Sequence, residues 1–146
     1  MHCHSSFCVL LSKLNVNSFS IIGNPDIYYS NVIEVVSEWC TFVLYGSVID
    51  VRPYAGDWHF HCSSDIIESA VRDYKSAPAG YAIDFGITRA GQTVLIEVND
   101  GYSLGSYGLD PVYYAKLLSA RWAQLTNTID QCQLISASLR HKAVHQ

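Results

Sequence analysis

Residues 81–108, YAIDFGITRAGQTVLIEVNDGYSLGSYG, constrain the fold more than any other stretch of the chain. Two apolar runs, 81–87 and 93–98, flank a short polar segment carrying Arg89 and Gly91, the pattern of strand, turn and strand. A four-residue loop over 89–92 pairs Thr88 with Thr93 and Phe85 with Ile96, and sets Asp84 opposite Glu97. One face of the hairpin then carries Ala82, Asp84, Gly86, Thr88, Thr93, Leu95, Glu97 and Asn99. The other carries Tyr81, Ile83, Phe85, Ile87, Val94, Ile96 and Val98. A shift of one residue puts Asp84 across from Ile96 and mixes the faces, which disfavours it in a half-buried hairpin.

In the unshifted register two carboxylates face each other with Cβ atoms roughly 4.5–5.5 Å apart, and Asn99 stands beside them. Like charges placed so close call for a counter-charge. Carboxylate and amide oxygens suit a hard divalent cation such as Mg²⁺ or Mn²⁺, one that keeps several waters and reaches substrate phosphates. The competing account is a solvated polar strand face, and pattern alone weighs the two about equally.

Asp84 followed by Glu97-Val98-Asn99 at the end of the next strand resembles the metal-binding end of the ATP-grasp fold. The run 97–108 with Leu109-Asp110-Pro111, Tyr114-Ala115, Leu117-Leu118 and Arg121-Trp122 is similar to one clade of that family, carboxylate–amine ligase-like. The resemblance covers about residues 30–125. It implies that Asp84, Glu97 and Asn99 hold the Mg²⁺ ions that bridge ATP phosphates. Ser37-Glu38-Trp39 with Thr41-Phe42-Val43 resembles the family's central strand, where an arginine normally follows the aromatic residue. Here that position is Cys40. Glu38, Cys40 and the nearby Arg52 are the candidates for binding the nucleotide, although the expected strand pairing turns Arg52 to the face of Trp39. A thiol does not replace a guanidinium fork at phosphate, and Cys40 reads as a buried, inert cysteine.

At 146 residues the length fits one domain with a single core. Hydrophobic residues at 49% and charged ones at 15% describe a globular chain rather than a disordered one. The net charge is −4 and no basic run exists, which argues against nucleic acid or an anionic membrane as partner. No stretch reaches the roughly 18 apolar residues of a membrane span. The amino terminus lacks the basic segment and cleavage site of a signal peptide. Five irregularly spaced cysteines give no disulfide framework, so a reduced, cytoplasmic setting is expected. His2-Cys3-His4 with Cys8, and His59, His61 and Cys62, lack the paired spacing of a structural zinc site.

Along the chain, 1–29 reads as an irregular lead-in, 30–125 as the C-terminal lobe of an ATP-grasp domain and 126–146 as a tail. Residues 31–36 form a strand, and 39–44 with 48–54 a hairpin closed at Tyr45-Gly46. In it, Glu38, Cys40, Phe42 and Leu44 share a face with Ser47, Ile49 and Val51. A helix capped by Ser64 or Asp65 gathers Ile66, Ile67, Ala70, Val71 and Tyr74 on one side. A second, opened by Asp110-Pro111, aligns Ala115, Leu118, Trp122 and Leu125 to cover the apolar face of the central hairpin. The expected class is α+β: an antiparallel sheet of about five strands with the helices packed on one face.

Two functions follow from the resemblance. One is an ATP- and Mg²⁺-dependent carboxylate–amine ligase, or its catalytic lobe, working through an acyl phosphate on a small-molecule or peptide substrate. The other is a truncated, non-catalytic remnant that binds metal, nucleotide or a partner. The family's nucleotide-covering lobe finds no match upstream here, where Lys13 is the only lysine, so that lobe is expected on another chain or in a larger enzyme of which this chain is a fragment.

Overall fold

The computed structural model describes residues 32–133; the expected lead-in, His2–Cys8 and the end of the tail lie outside them. Four antiparallel strands form one sheet: β1 (Val35–Leu44), β2 (Ser47–Gly56), β3 (Gly80–Thr88) and β4 (Thr93–Asp100), in the order β2-β1-β3-β4. Two helices, α1 (Ser64–Asp73) and α2 (Pro111–Thr126), complete the α+β architecture. Among the described residues four strands stand in place of about five, because Val35 and Val36 belong to β1 itself, while Val32 is exposed outside the sheet.

β1 and β2 meet at Tyr45-Gly46, both with positive φ (49° and 73°), the tight turn that matches strand twist. Two irregularities interrupt their ladder, between Phe42 and Val43 and between Glu38 and Trp39, with Ile49 and Tyr54 as the extra residues on β2. The first one moves Arg52. The ladder pairs Phe42 with Asp50, Thr41 with Val51 and Cys40 with Arg52. Arg52 therefore shares the face of Cys40, not that of Trp39, and Val51 takes the opposite face. A regular pairing counted back from the turn misses a bulge that adds one residue to one strand.

The central hairpin departs from expectation in the same way. Ile87, not Thr88, pairs with Thr93, and Phe85 pairs with Leu95. The ladder shifts between Phe85 and Asp84, where Ile96 is the extra residue on β4, and Asp84 then meets Glu97 as expected. Thr93 and Leu95 consequently turn to the apolar side, and Val94 joins the side of Asp84.

Each face of the sheet carries one helix, not both on one face as expected, because Cys40, Phe42 and Ala82 make the side of Asp84 apolar enough for α2 to cover. Val43, Tyr81, Ile83 and Phe85 pack with Ile67 of α1, joined by Ile66, Ala70, Val71 and Leu95. The Tyr74 ring meets the edge of Tyr81 at 5.5 Å. The cap of α1 is Ser63, whose side chain makes no capping bond; its N–H donates to Thr93 Oγ1 at 3.0 Å. The other face carries Cys40, Phe42 and Ala82 beneath Leu104, Leu109 and Leu117, with Tyr114 and Leu118 of α2 packed alongside. Asp110 caps α2 through the N–H groups of Val112 and Tyr113, followed by Pro111 as expected. The buried stripe of α2 is Leu117, Ala120 and Ala123, whereas Trp122 and Leu125 are 66% and 50% exposed and Ala115 is exposed. This helix is apolar on two sides, and the small alanines let it lie close to the sheet where the large residues would hold it off.

Candidate functional site

The registers bring one row of side chains across all four strands: Arg52 on β2, Cys40 on β1, Asp84 on β3 and Glu97 on β4. One pair along, the row Asp50, Phe42, Ala82 and Asn99 lies on the same face. In the other direction Glu38 pairs with Gly86. All six residues singled out from the sequence, Glu38, Cys40, Arg52, Asp84, Glu97 and Asn99, thus share one face of the sheet.

At its centre Asp84 is only 4% exposed, and its Oδ1 is buried without a hydrogen-bond partner. Asn99 Nδ2 donates to Asp84 Oδ2 at 3.2 Å and to Glu97 Oε1 at 3.1 Å, bridging the two carboxylates. Burial pushes the Asp84 carboxyl up to about 6; the Cys40 thiol at its side works against this, and the negative charge of Glu97 adds to it. The thiol of Cys40 is raised well above its ordinary range, first by burial and then by the Asp84 charge. A thiol that stays protonated is a poor nucleophile and a poor ligand, so the sequence reading of Cys40 as inert fits its surroundings.

On β2, Arg52 donates through Nε and Nη2 to Asp50 Oδ2, at 2.7 and 2.6 Å. Its half-exposed guanidinium is held at the border of the row. Tyr54, the extra residue of the second bulge, donates its hydroxyl to Glu38 Oε2 at 2.7 Å. Its ring lies 5.2 Å from that of Tyr107. Tyr107 comes from the glycine-rich loop after β4, whose first half is anchored at Asp100 and Leu104. Arg121 of α2 holds Asp100 through Nε and Nη2 at 2.6 and 2.5 Å, and the hydroxyl of Tyr114 donates to the carbonyl of Leu104 at 2.5 Å. Three residues past Leu104, Tyr107 lies near the carboxylates: burial raises its hydroxyl pKa, and the charges of Asp84 and Glu97 raise it further. Sequence reasoning gave Tyr54 and Asp50 no part in the site, because both depend on the bulges of β2.

An oxygen-rich pair with an amide beside it is the donor set of a hard cation. Among the described residues, no group of three or more His, Cys, Asp and Glu side chains converges as a metal cage. His59, His61 and Cys62 form no such group. Two carboxylates and an amide make the open kind of donor set that Mg²⁺ takes, with few protein ligands and several waters. The orphaned Oδ1 of Asp84 is the specific fit, since a buried carboxylate oxygen without a partner is costly unless something binds it. Asn99 would turn its amide to present oxygen in place of the N–H groups that now bridge the carboxylates.

Sheet, carboxylate pair and glycine-rich loop together make one oxygen-rich face. The chain belongs to the ATP-grasp domain family: the model for the second family of one of its clades matches residues 8–117. The match reaches upstream of residue 30, into the stretch expected to be an unrelated lead-in. No curated protein and no solved structure matches the chain. No helix among the described residues is long and apolar enough to cross a membrane.

Proposed function

We propose that this ATP-grasp protein is the C-terminal, metal-binding lobe of an ATP- and Mg²⁺-dependent carboxylate–amine ligase, acting in the cytoplasm, with residues 30–125 as the lobe. The observation that carries the reading is the Asp84–Glu97 pair with its bridging Asn99 and the unpartnered Asp84 oxygen. Asp84, Glu97 and Asn99 would hold Mg²⁺, and the bound ion would supply neutralisation of the phosphate charge. Arg52 would add a second positive group from the border of the row, steadied by Asp50. Cys40 keeps the floor between them small and uncharged. Tyr54 and Tyr107 cover that floor and exclude water from it.

Phosphoryl transfer depends mostly on positioning and electrostatic stabilisation, which fits a site built from carboxylates, an amide and a guanidinium without an obvious general base. Transfer of the γ-phosphoryl to a substrate carboxylate gives an acyl phosphate and ADP; attack by an amine then releases phosphate and forms the amide. The adenine-covering lobe would be supplied by another part of the assembly.

Trapping with hydroxylamine tests this directly. The chain is incubated with ATP, Mg²⁺ and a panel of small carboxylic acids and peptides, and hydroxamate and ADP are measured. Hydroxamate formed in step with ADP, and lost in Asp84→Asn and Glu97→Gln, is the expected result. Nucleotide binding without ADP formation for any carboxylate, with an upstream ATP-grasp lobe supplied, would leave the binding-module reading instead.

A further inference from the structure

Glu38, like Asp50, is a carboxylate on this face outside the Asp84–Glu97–Asn99 group. It is half-buried, and the Tyr54 hydroxyl donates to its Oε2 at 2.7 Å. The Tyr54 ring in turn pairs with that of Tyr107 at 5.2 Å with a 35° tilt. The resemblance groups Glu38 with nucleotide-binding positions, but a carboxylate repels phosphate at short range unless a cation intervenes. The floor next to it is already rich in negative charge: Asp84 Oδ1 is buried without a partner, and the neighbouring guanidinium of Arg52 is bonded to Asp50. A compact cation suits these groups. An ammonium is attracted to the faces of tyrosine rings, and its N–H groups need an oxygen acceptor such as the second oxygen of Glu38.

We infer that Glu38, with the rings of Tyr54 and Tyr107, binds a primary ammonium group carried by the acceptor substrate of this site, apart from the nitrogen that attacks as the free amine. The word acceptor rests on the ligase reading; the ammonium chemistry does not. Glu38 and Cys40 are two residues apart on one strand, about 7 Å along it. An ammonium at Glu38 therefore lies within a small molecule's length of the row that carries Asp84. Tyr54 acts here as a positioning residue, because its hydroxyl orients the carboxylate while its ring orients Tyr107. Tyr107 comes from the glycine-rich loop, so the loop reports on occupancy.

The test uses the full chain in saturating Mg²⁺, with n-butylamine, charged at neutral pH, and n-butanol as its uncharged counterpart. Binding is read from the NMR signals of the Tyr54 and Tyr107 rings. Butylammonium should shift both rings and butanol should not. Glu38→Gln should weaken butylammonium about tenfold, and Tyr107→Leu should weaken it severalfold; this exposed loop position carries the test if Glu38→Gln disturbs folding. Equal binding of butanol, unchanged binding in both variants, or no binding by the parent overturns the inference. Displacement of butylammonium by rising Mg²⁺ also overturns it, since Glu38 would then be a metal ligand. Butylammonium bound through Glu38 in a chain that forms no hydroxamate leaves the inference standing and removes the ligase reading. Hydroxamate formation with binding and amine KM unchanged in Glu38→Gln does the reverse.

Discussion

Asp84 and Glu97 face each other across β3 and β4 only because the extra residue Ile96 restores the register that the turn shifts. Between Ile87–Thr93 and Phe85–Leu95 the ladder runs one residue away from the spacing that pairs the carboxylates; past the bulge it returns to it. Bulges are frequent beside active sites because they re-aim one side chain without disturbing the rest of the strand. Here the gain is double: Leu95 packs under α1, and Glu97 still reaches the opposite face.

A cation should stabilise this chain through that pair. Mg²⁺ or Mn²⁺ at about a hundred times its dissociation constant contributes about 2.7 kcal/mol to a site present only in the native state. A thermal shift of several degrees is the expected reading. Asp84→Asn and Glu97→Gln keep shape and delete charge, so each should lose most of the shift. Equal shifts in the parent and both variants would make the row a plain polar face.

The pKa of Asp84 sets a pH dependence with a definite sign. Its folded value, about 6, lies above the ordinary carboxylate value of 3.8, so the native state holds its proton longer than the unfolded chain. This contribution to metal-free stability is complete at low pH and is lost as pH rises through about 6. Measured by denaturant at pH 5 and 7.5 without metal, the parent should lose more stability on going up than Asp84→Asn does, by on the order of 1–2 kcal/mol. The cation effect runs the other way, appearing as the pH rises past 6. An identical pH response in parent and variant would show that Asp84 titrates normally.

How far the sequence disclosed this arrangement depends on local pattern against strand pairing. The two hairpins, both helices and the Asp110-Pro111 cap follow from apolar period and turn chemistry, which are local. The opposition of Asp84 and Glu97 came out right with the wrong register near the turn, because one shift at the turn and one bulge cancel. Arg52 was turned the wrong way for want of a bulge at Ile49. In the α2 segment the period alone could not choose between the alanine stripe and the larger Trp122 and Leu125. What decides that choice is the width of the gap over Phe42 and Ala82, a property of the packed sheet.

Gly46 and Gly56 should respond differently to alanine. Both have positive φ, 73° and 81°. A Cβ at Gly46 meets open space, whereas one at Gly56 runs into the carbonyl oxygen of Val36 on β1. Gly46→Ala should cost about 1 kcal/mol from the backbone alone. Gly56→Ala has to push the two strands apart as well, and about 3 kcal/mol or more is expected by denaturant unfolding. Similar losses at the two sites would mean that the end of β2 yields easily.

Arg52 and Cys40 make opposite predictions for the nucleotide. Arg52 borders the row at half exposure, its orientation fixed by Asp50, and two guanidinium nitrogens bonded to one carboxylate oxygen still leave donors free to meet phosphate. Cys40 lies beneath, 1% exposed and with its thiol held protonated. Arg52→Gln should therefore weaken Mg²⁺-dependent ATP binding by about tenfold, a loss of roughly 1.4 kcal/mol. The cation-induced thermal shift should persist in this variant, because the metal is held by Asp84 and Glu97. Cys40→Ala should lower stability by about 1 kcal/mol through the small cavity it leaves, with ATP affinity unchanged and no sensitivity to thiol reagents in the parent. Isothermal titration with ATP and Mg²⁺, run on both variants with the parent as reference, separates the roles. Equal affinity in Arg52→Gln and the parent would make the Arg52–Asp50 pair an edge support for β2 and leave the phosphate without a protein cation on this face.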